Sequence, residues 1–384
     1  MIFRSCADLR PYLTGRFPHR AALRVACASL LLLAACSSTL STADPADSPI
    51  DSSIDTEAQS PEEAPPETIA EVENDLAADP EPADGRFPAF PTSPLGNVTA
   101  DLDGALLGVS TGLTRAEREP RFDQLEGAAG RQLDIGHVFH PWNQAIPTED
   151  DLFHLEQGRI LMISWNGTDT IEIQNGVHDD WIRTQATSVR DLGQQVMLRW
   201  FWEMDANRRL PLVHSGEDYI GAWNHIRGIF DEVGATNAEF VWCPNEFLFW
   251  DGGDPTPWYP GDENVDWLCA DGYNWQDSVD HPEWVSPTDI FEDFYAWAEP
   301  RGLPIVIGET GSNEALDDAD GKADWLRSWP QLLADQMPEI DAVVYFDKDF
   351  LFQGHADWRV DTSGETFAGW NEIAQDPYFN PLAG

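Results

Sequence analysis

The chain has 384 residues, with 68 Asp and Glu against 22 Lys and Arg and a formal charge of −46. A surplus of that size excludes nucleic acid and an anionic membrane surface as partners of the folded body, because like charges repel. All 17 tryptophans fall between Trp142 and Trp370, a concentration expected where flat apolar ligand faces stack on aromatic rings.

Residues 1–35 predict an export signal. Arg4, Arg10, Arg16, Arg20 and Arg24 precede an apolar run from Val25 to Ala35, which is too short to span a bilayer. The run ends in Leu33-Ala34-Ala35-Cys36 and continues with Ser37-Ser38, and this resembles the bacterial lipoprotein signal. The resemblance implies cleavage before Cys36, a diacylglycerol on its sulfur, and contact with the bacterial envelope membrane only through that lipid. Residues 36–85 follow as a linker. Between Ser37 and Gly85 there are 14 acids, seven prolines and no aromatic residue, too little apolar surface to offset the entropy of ordering. A disordered tether with a root-mean-square reach of about 40 Å is expected there.

Residues 86–384 suit one eight-stranded (β/α)8 barrel, a TIM barrel of the α/β class, in size. Short runs rich in β-branched and aromatic residues predict strands at 105–110, 133–139, 159–164, 196–201, 239–243, 265–270, 304–307 and 342–346. Helices are predicted at 180–192, 217–233, 287–298 and 322–334, with Gly193, Gly234 and Gly302 as breakers past their ends.

In such a barrel the chemistry sits where the strands end. The second predicted strand leads to His140-Pro141-Trp142, the third to Trp165-Asn166, and the fourth to Trp202-Glu203-Met204-Asp205. Asn245 follows the fifth, Tyr273-Asn274-Trp275 the sixth, Glu309-Thr310-Gly311 the seventh, and Tyr345-Phe346 closes the eighth. Two glutamates thus end apolar strands inside a rim of aromatic rings. Retaining glycoside hydrolysis needs such a pair, a proton donor and a nucleophile held about 5 to 5.5 Å apart. The carboxylate nearer a fixed cation stays ionised as nucleophile, and the more apolar one keeps its proton.

Several blocks in order carry a family resemblance. Arg199-x-x-x-Glu203-Met204-Asp205, Gly221-Ala222-Trp223-Asn224-His225, Phe240 to Asn245, Asp271-Gly272-Tyr273-Asn274 and Ile307-Gly308-Glu309-Thr310-Gly311 resemble glycoside hydrolase family 26, retaining β-glycanases of clan A best known as endo-β-1,4-mannanases. The resemblance implies that Glu203 is the acid/base, Glu309 the nucleophile, Tyr273 a hydrogen-bond donor to that nucleophile, and Arg199 the arginine beneath it. One position departs: the family's usual His before the acid/base is Trp202 here. Since Trp donates one hydrogen bond where His can donate or accept, the sugar stays open among β-mannan, β-1,3-xylan and mixed-linkage glucan.

Trp142, Trp165, Trp202, Trp275 and Trp358 follow strand ends or sit in loops and are expected to line the cleft. Asn245 and Tyr345, at the ends of strands five and eight, complete the expected substrate-binding set. His137 and His140 point to opposite faces of strand two, and His140, nearer the top, is the one expected at the site. Cys243 and Cys269 fall on neighbouring strands and could pair or stay as free thiols. No metal or cofactor is expected; the acidic run 317–321 lacks EF-hand spacing. The expected partner is a polysaccharide and the expected state a monomer.

Overall fold

A computed structural model describes residue 87 and residues 89–91, 102–111, 115–276, 283–349 and 356–382. The expected signal peptide, Cys36 and the linker 36–85 lie outside these residues. Eight strands close into a barrel in sequence order, every neighbouring pair parallel: β1 Leu106–Ser110, β2 Ile135–His140, β3 Ile160–Trp165, β4 Val196–Trp200, β5 Ala238–Trp242, β6 Trp267–Asn274, β7 Ile305–Ser312 and β8 Ile340–Phe346. β1 pairs with β8 to complete the ring. All eight predicted strands are present, with ends displaced by a few residues.

Parallel strands buried on both faces are apolar throughout, and alternation decides which side chain faces where. Leu106, Ile135, Ile160, Met162, Met197, Val241, Val306, Ala342 and Val344 fill the barrel interior. Their neighbours Leu107, Leu161, Ile163, Leu198, Trp200, Leu268, Ile305 and Val343 pack outward against the helices. Those helices are α1 Arg115–Ala129, α2 Glu149–Glu156, α3 Thr170–Gln174, α4 Asp179–Leu192, α5 Leu210–Val213, α6 Gly216–Val233, α7 Pro287–Ala298, α8 Gly321–Arg327, α9 Trp329–Gln336 and α10 Gly364–Gln375. Only the β5–β6 connection replaces the α-helix with short 3₁₀ turns, between Glu246 and Asn264.

Three predicted helices stand as α4, α6 and α7. α4 and α6 end on Gly193 and Gly234 in the left-handed conformation, at φ 65° and 79°, where a Cβ would be unfavourable. The predicted helix over 322–334 is instead two. α8 stops at Arg327 and α9 restarts at Trp329, because Pro330 has no N–H to continue the ladder and its ring would strike the carbonyl one turn back.

Candidate active site

Arg199 lies on the inward face of β4, alternating with the outward Leu198 and Trp200. Its side chain is fully buried. Nε donates to Ser164 Oγ at 2.7 Å, Nη1 lies 2.7 Å from each oxygen of Asp271, and Nη2 donates to Glu309 Oε1. Burial opposes the charge on Arg199, but the carboxylates of Asp271 and Glu309 hold its pKa above the ordinary value. His137 Nε2 is 2.6 Å from Ser164 Oγ. Burial, then the Arg199 charge, depress the His137 imidazole well below its usual range. A neutral His137 accepts from the Ser164 hydroxyl, which in turn accepts from Arg199 Nε.

Glu309 reaches this guanidinium because β7 is irregular. Val306 faces inward, so simple alternation would bring Gly308 inward and send Glu309 out toward the helices. Ala270 pairs with Ile307 but Asp271 pairs with Glu309, and on the other side Ile307 and Thr310 pair with Val343 and Tyr345. One extra residue is therefore inserted at Gly308, a β-bulge that re-aims the next side chain. Only glycine fits there: a Cβ would stand 2.5 Å from Cys269 Sγ, 2.8 Å from Asp271 Oδ1 and 2.9 Å from Arg199 Nη1. Tyr273 donates its hydroxyl to Glu309 Oε2 at 2.5 Å. Burial, with the charge of Glu309, keeps that phenol protonated well above its usual pKa. Burial also raises Glu309, against the pull of Arg199, and the charge of Glu203 adds to the rise.

Glu203 follows β4 with a left-handed backbone, φ 51°, two residues after Phe201 at φ 47°. Non-glycine residues held there are strained and concentrate at functional sites. Its N–H donates to Cys243 O at 2.8 Å, fixing the turn to the end of β5, and its carboxylate is paired with Arg208. Two further acids stand close. Burial pushes Asp205 up to about 6, against hydrogen bonds from the backbone and side chain of Asn245. Burial pushes Glu246 up to about 8, and the charges of Glu203 and Asp205 add to the rise.

Aromatic rings surround Glu309. Tyr273 stacks on Trp358 at 4.2 Å, Trp275 meets Trp358 edge-on at 4.6 Å, and Phe346 closes the group. Phe139 contacts Trp202 at 5.2 Å, and the guanidinium carbons of Arg199 and Arg209 lie 5.3 and 4.8 Å from the Trp202 ring. Arg209, buried and held by Asn166, is drawn down to about 10 by burial and by Arg208.

The structure thus brings Arg199, Trp202, Glu203, Tyr273, Trp275, Glu309 and Trp358 to one mouth, with Trp358 buried as support for Tyr273. Asn245 braces Asp205 at its edge. Four expected residues lie elsewhere. His140 faces outward and pairs with Asp151 of α2 at 2.9 Å, so the inward histidine is His137; alternation outweighs height on the strand. Trp165 is fully buried on the outer face of β3, stacked on Trp142 at 4.6 Å and 8°. Both are packing. Tyr345 also faces outward, against Trp370. Ser164, Asp271, Arg208 and Arg209 are the site residues that sequence reasoning missed, and the parity of β3, β4 and β6 was the available signal for the first two. Cys243 and Cys269 form a disulfide.

No protein-family model matches the chain. Among curated proteins it is 30% identical over 304 residues to endoglucanase H of Acetivibrio thermocellus, across 75% of this chain and 32% of that protein. It is 24% identical over 253 residues to the β-1,3-xylanase TXYA of a Vibrio species, across 57% and 52%. The chain spans about a third and about half of the lengths of these relatives. Among solved structures it superposes on the catalytic domain of a GH26 endo-β-1,4-mannanase from Bacillus sp. JAMB-750 with a TM-score of 0.57, at 15% identity over 79% of this chain and 97% of that one. A GH26 β-mannanase from Bacteroides ovatus gives a TM-score of 0.53, at 15% identity over 74% and 92%. At such identities the shared property is the fold.

Proposed function

We propose that the chain, which has the fold of the family 26 glycoside hydrolases it superposes on, is itself such a hydrolase and acts as an exported retaining endo-β-glycanase, with Glu309 as nucleophile and Glu203 as acid/base. The observation that carries this reading is the treatment of Glu309. One of its oxygens accepts from Arg199 and the other from Tyr273, an arrangement that stabilises a carboxylate both before attack and as it departs.

In the first step Glu203 gives its proton to the glycosidic oxygen. A Glu309 oxygen attacks the anomeric carbon, the bond to the leaving oxygen breaks, and a glycosyl ester forms. In the second step Glu203, now a carboxylate, takes a proton from water. The water oxygen displaces Glu309, and the anomeric configuration is retained. Arg199 and Tyr273 meet the returning charge on Glu309. Trp202 and Trp275, half-buried at the mouth, offer apolar faces to the sugar rings.

The substrate we propose is β-1,4-mannan or a related β-glycan, following the structural neighbours. A second reading, β-1,3-xylan or mixed-linkage β-glucan, is favoured by Trp202 standing in place of the family's usual His and by curated relatives that are an endoglucanase and a β-1,3-xylanase. Export is supported by the Cys243–Cys269 disulfide, since such bonds persist in oxidising compartments. The lipid anchor at Cys36, the division into 1–35, 36–85 and 86–384, and the monomeric state belong to the same proposal.

The test is digestion of mannan, glucomannan, β-1,3-xylan and mixed-linkage glucan, with product analysis and a 2-fluoro sugar inactivator. Oligosaccharides from at least one polymer, a first product of retained configuration and a label on the peptide holding Glu309 are expected. An inverted product, or a label on Glu203, would end the assignment.

A further inference from the structure

Cys243 stands between the two candidate catalytic carboxylates and touches the support of both. Its carbonyl oxygen accepts the N–H of Glu203 at 2.8 Å. Its sulfur lies 3.2 Å from Asp271 Oδ1 and accepts from Arg199 Nη1 at 3.5 Å, the two groups that lie against Glu309 from below. The other half of the bond reaches the same glutamate by a second route, because Gly308, the bulge residue before Glu309, is seated against Cys269 Sγ. Both cysteines are buried in the barrel interior.

The disulfide also falls at an interruption in the sheet. β5 and β6 pair at Val241 with Trp267 and at Trp242 with Leu268, then again only through the isolated bridge of Asn245 with Asp271. Between these points lies Pro244, which has no N–H to give a ladder, although its carbonyl accepts from Asp271 N at 3.1 Å. The covalent link at 243 and 269 spans this gap, at the level of the Arg199 fork.

We infer that the Cys243–Cys269 disulfide is a positioning element for the reaction: it fixes the end of β5, whose Cys243 carbonyl holds the N–H of Glu203 after β4, against β6, whose Asp271 pairs with Glu309 of β7 and with Arg199, and so sets the spacing of the two carboxylates. The inference rests on the reading of Glu203 and Glu309 as the catalytic pair. Displacing reacting groups by about 1 Å can cost about 100-fold in rate, so a slackened β5–β6 junction lowers turnover before it unfolds the barrel. Reduction by an added phosphine breaks the S–S bond with two electrons from phosphorus and two protons from water, leaving two thiols and a phosphine oxide; reoxidation by an added disulfide takes the two electrons and two protons back and restores the bond.

The experiment compares the full-length protein with Cys243→Ser/Cys269→Ser and Cys243→Ala/Cys269→Ala, and with wild type reduced by a phosphine under mild denaturant, returned to buffer, and then reoxidised. Differential alkylation and mass spectrometry of the peptides holding Cys243 and Cys269 report the state of the bond. On an activated aryl glycoside and on the preferred polymer, at a temperature where circular dichroism shows the variants folded, kcat is expected to fall about 100-fold with KM changed by no more than about twofold. The acid limb of the pH–rate profile is expected to move, and reoxidation to restore both. The inference is overturned if folded variants lose melting temperature but keep wild-type kcat and pH profile, or if both thiols of the oxidised wild type alkylate freely. Should the variants not fold, the reduced and reoxidised wild type decides alone, and unchanged turnover after reduction overturns the inference. A wild type inactive on every polymer and glycoside defeats the functional reading instead, and the two failures are thereby told apart.

Discussion

Arg199 and Asp271 form a fork with no exposed surface on either side chain, Nη1 lying 2.7 Å from both carboxylate oxygens. The same guanidinium serves Glu309 through Nη2. One cation thus faces two buried acids, and burial raises both, Asp271 well above its usual range and Glu309 less far. Such a pair titrates as a unit, and the Arg199 charge opposes the rise in both, favouring their ionised forms against burial.

Arg199→Met leaves both acids in the barrel without a counter-charge. Loss of one partner of a buried ion pair costs about 3–5 kcal/mol, so denaturant titration should show a deficit of that size, with activity gone. Arg199→Lys should rescue little, because one ammonium cannot replace a fork that engages Ser164, Asp271 and Glu309 together. A lysine variant of wild-type stability and activity would contradict the account.

Glu309→Ala and Glu203→Ala should fail differently. The first removes the covalent catalyst, and turnover should fall by several powers of ten, roughly 10⁴ or more, on every substrate. The second should spare formation of the glycosyl-enzyme from an activated aryl glycoside, which needs little protonation, and stall there until azide releases a glycosyl azide. Azide rescue in Glu309→Ala that retains the β-configuration would reverse the assignment.

Burial pushes Glu246 up to about 8 from 4.5. For an acid raised on folding, the stabilising contribution is complete below the unfolded value. It falls by about 1.4 kcal/mol per pH unit as pH rises from there to the folded value, and is lost above it. Stability by chemical denaturation should therefore decline between about pH 5 and pH 8, and Glu246→Gln should flatten that decline. An equal slope in both proteins would show that Glu246 is ionised in the folded state.

Trp202 lies against two guanidinium groups and the edge of Phe139. Trp202→Ala should weaken action on all polymers, since it removes an apolar face together with cation–π contacts worth about 0.5–2 kcal/mol each. Trp202→His should shift relative activity toward mannan. Unchanged substrate profiles in both variants would make the residue ordinary packing.

The lipid reading is tested by the mature N-terminus. Full-length protein made in a bacterial host should partition into detergent with a lipid on Cys36, and Cys36→Ser should release it or leave the precursor uncut. A mature chain starting at any other residue would refute it.

The eight strands and the two glutamates that end two of them were legible in the sequence, because apolar runs, their spacing and the residues that end them are local properties of the chain, whereas the place of Arg199 beneath Glu309 was implied only by the family resemblance. Which way a side chain points beyond a strand's first few residues was not. His140, Trp165 and Tyr345 sit at strand ends as expected, yet each faces the helices, on the parity set by Ile135, Ile160 and Ala342 inside the barrel. Parity counts only while the strand is regular. Glu309 by the same count would face outward, and it reaches Arg199 only because the ladders on both sides slip by one residue at Gly308. The pairing of Cys243 with Cys269 was open for the same reason, since it depends on the lateral register of β5 against β6. The sequence by itself determined which residues end the barrel strands. Only the tertiary structure decided which of them face each other, because register, bulges and packing are settled between strands and not along one.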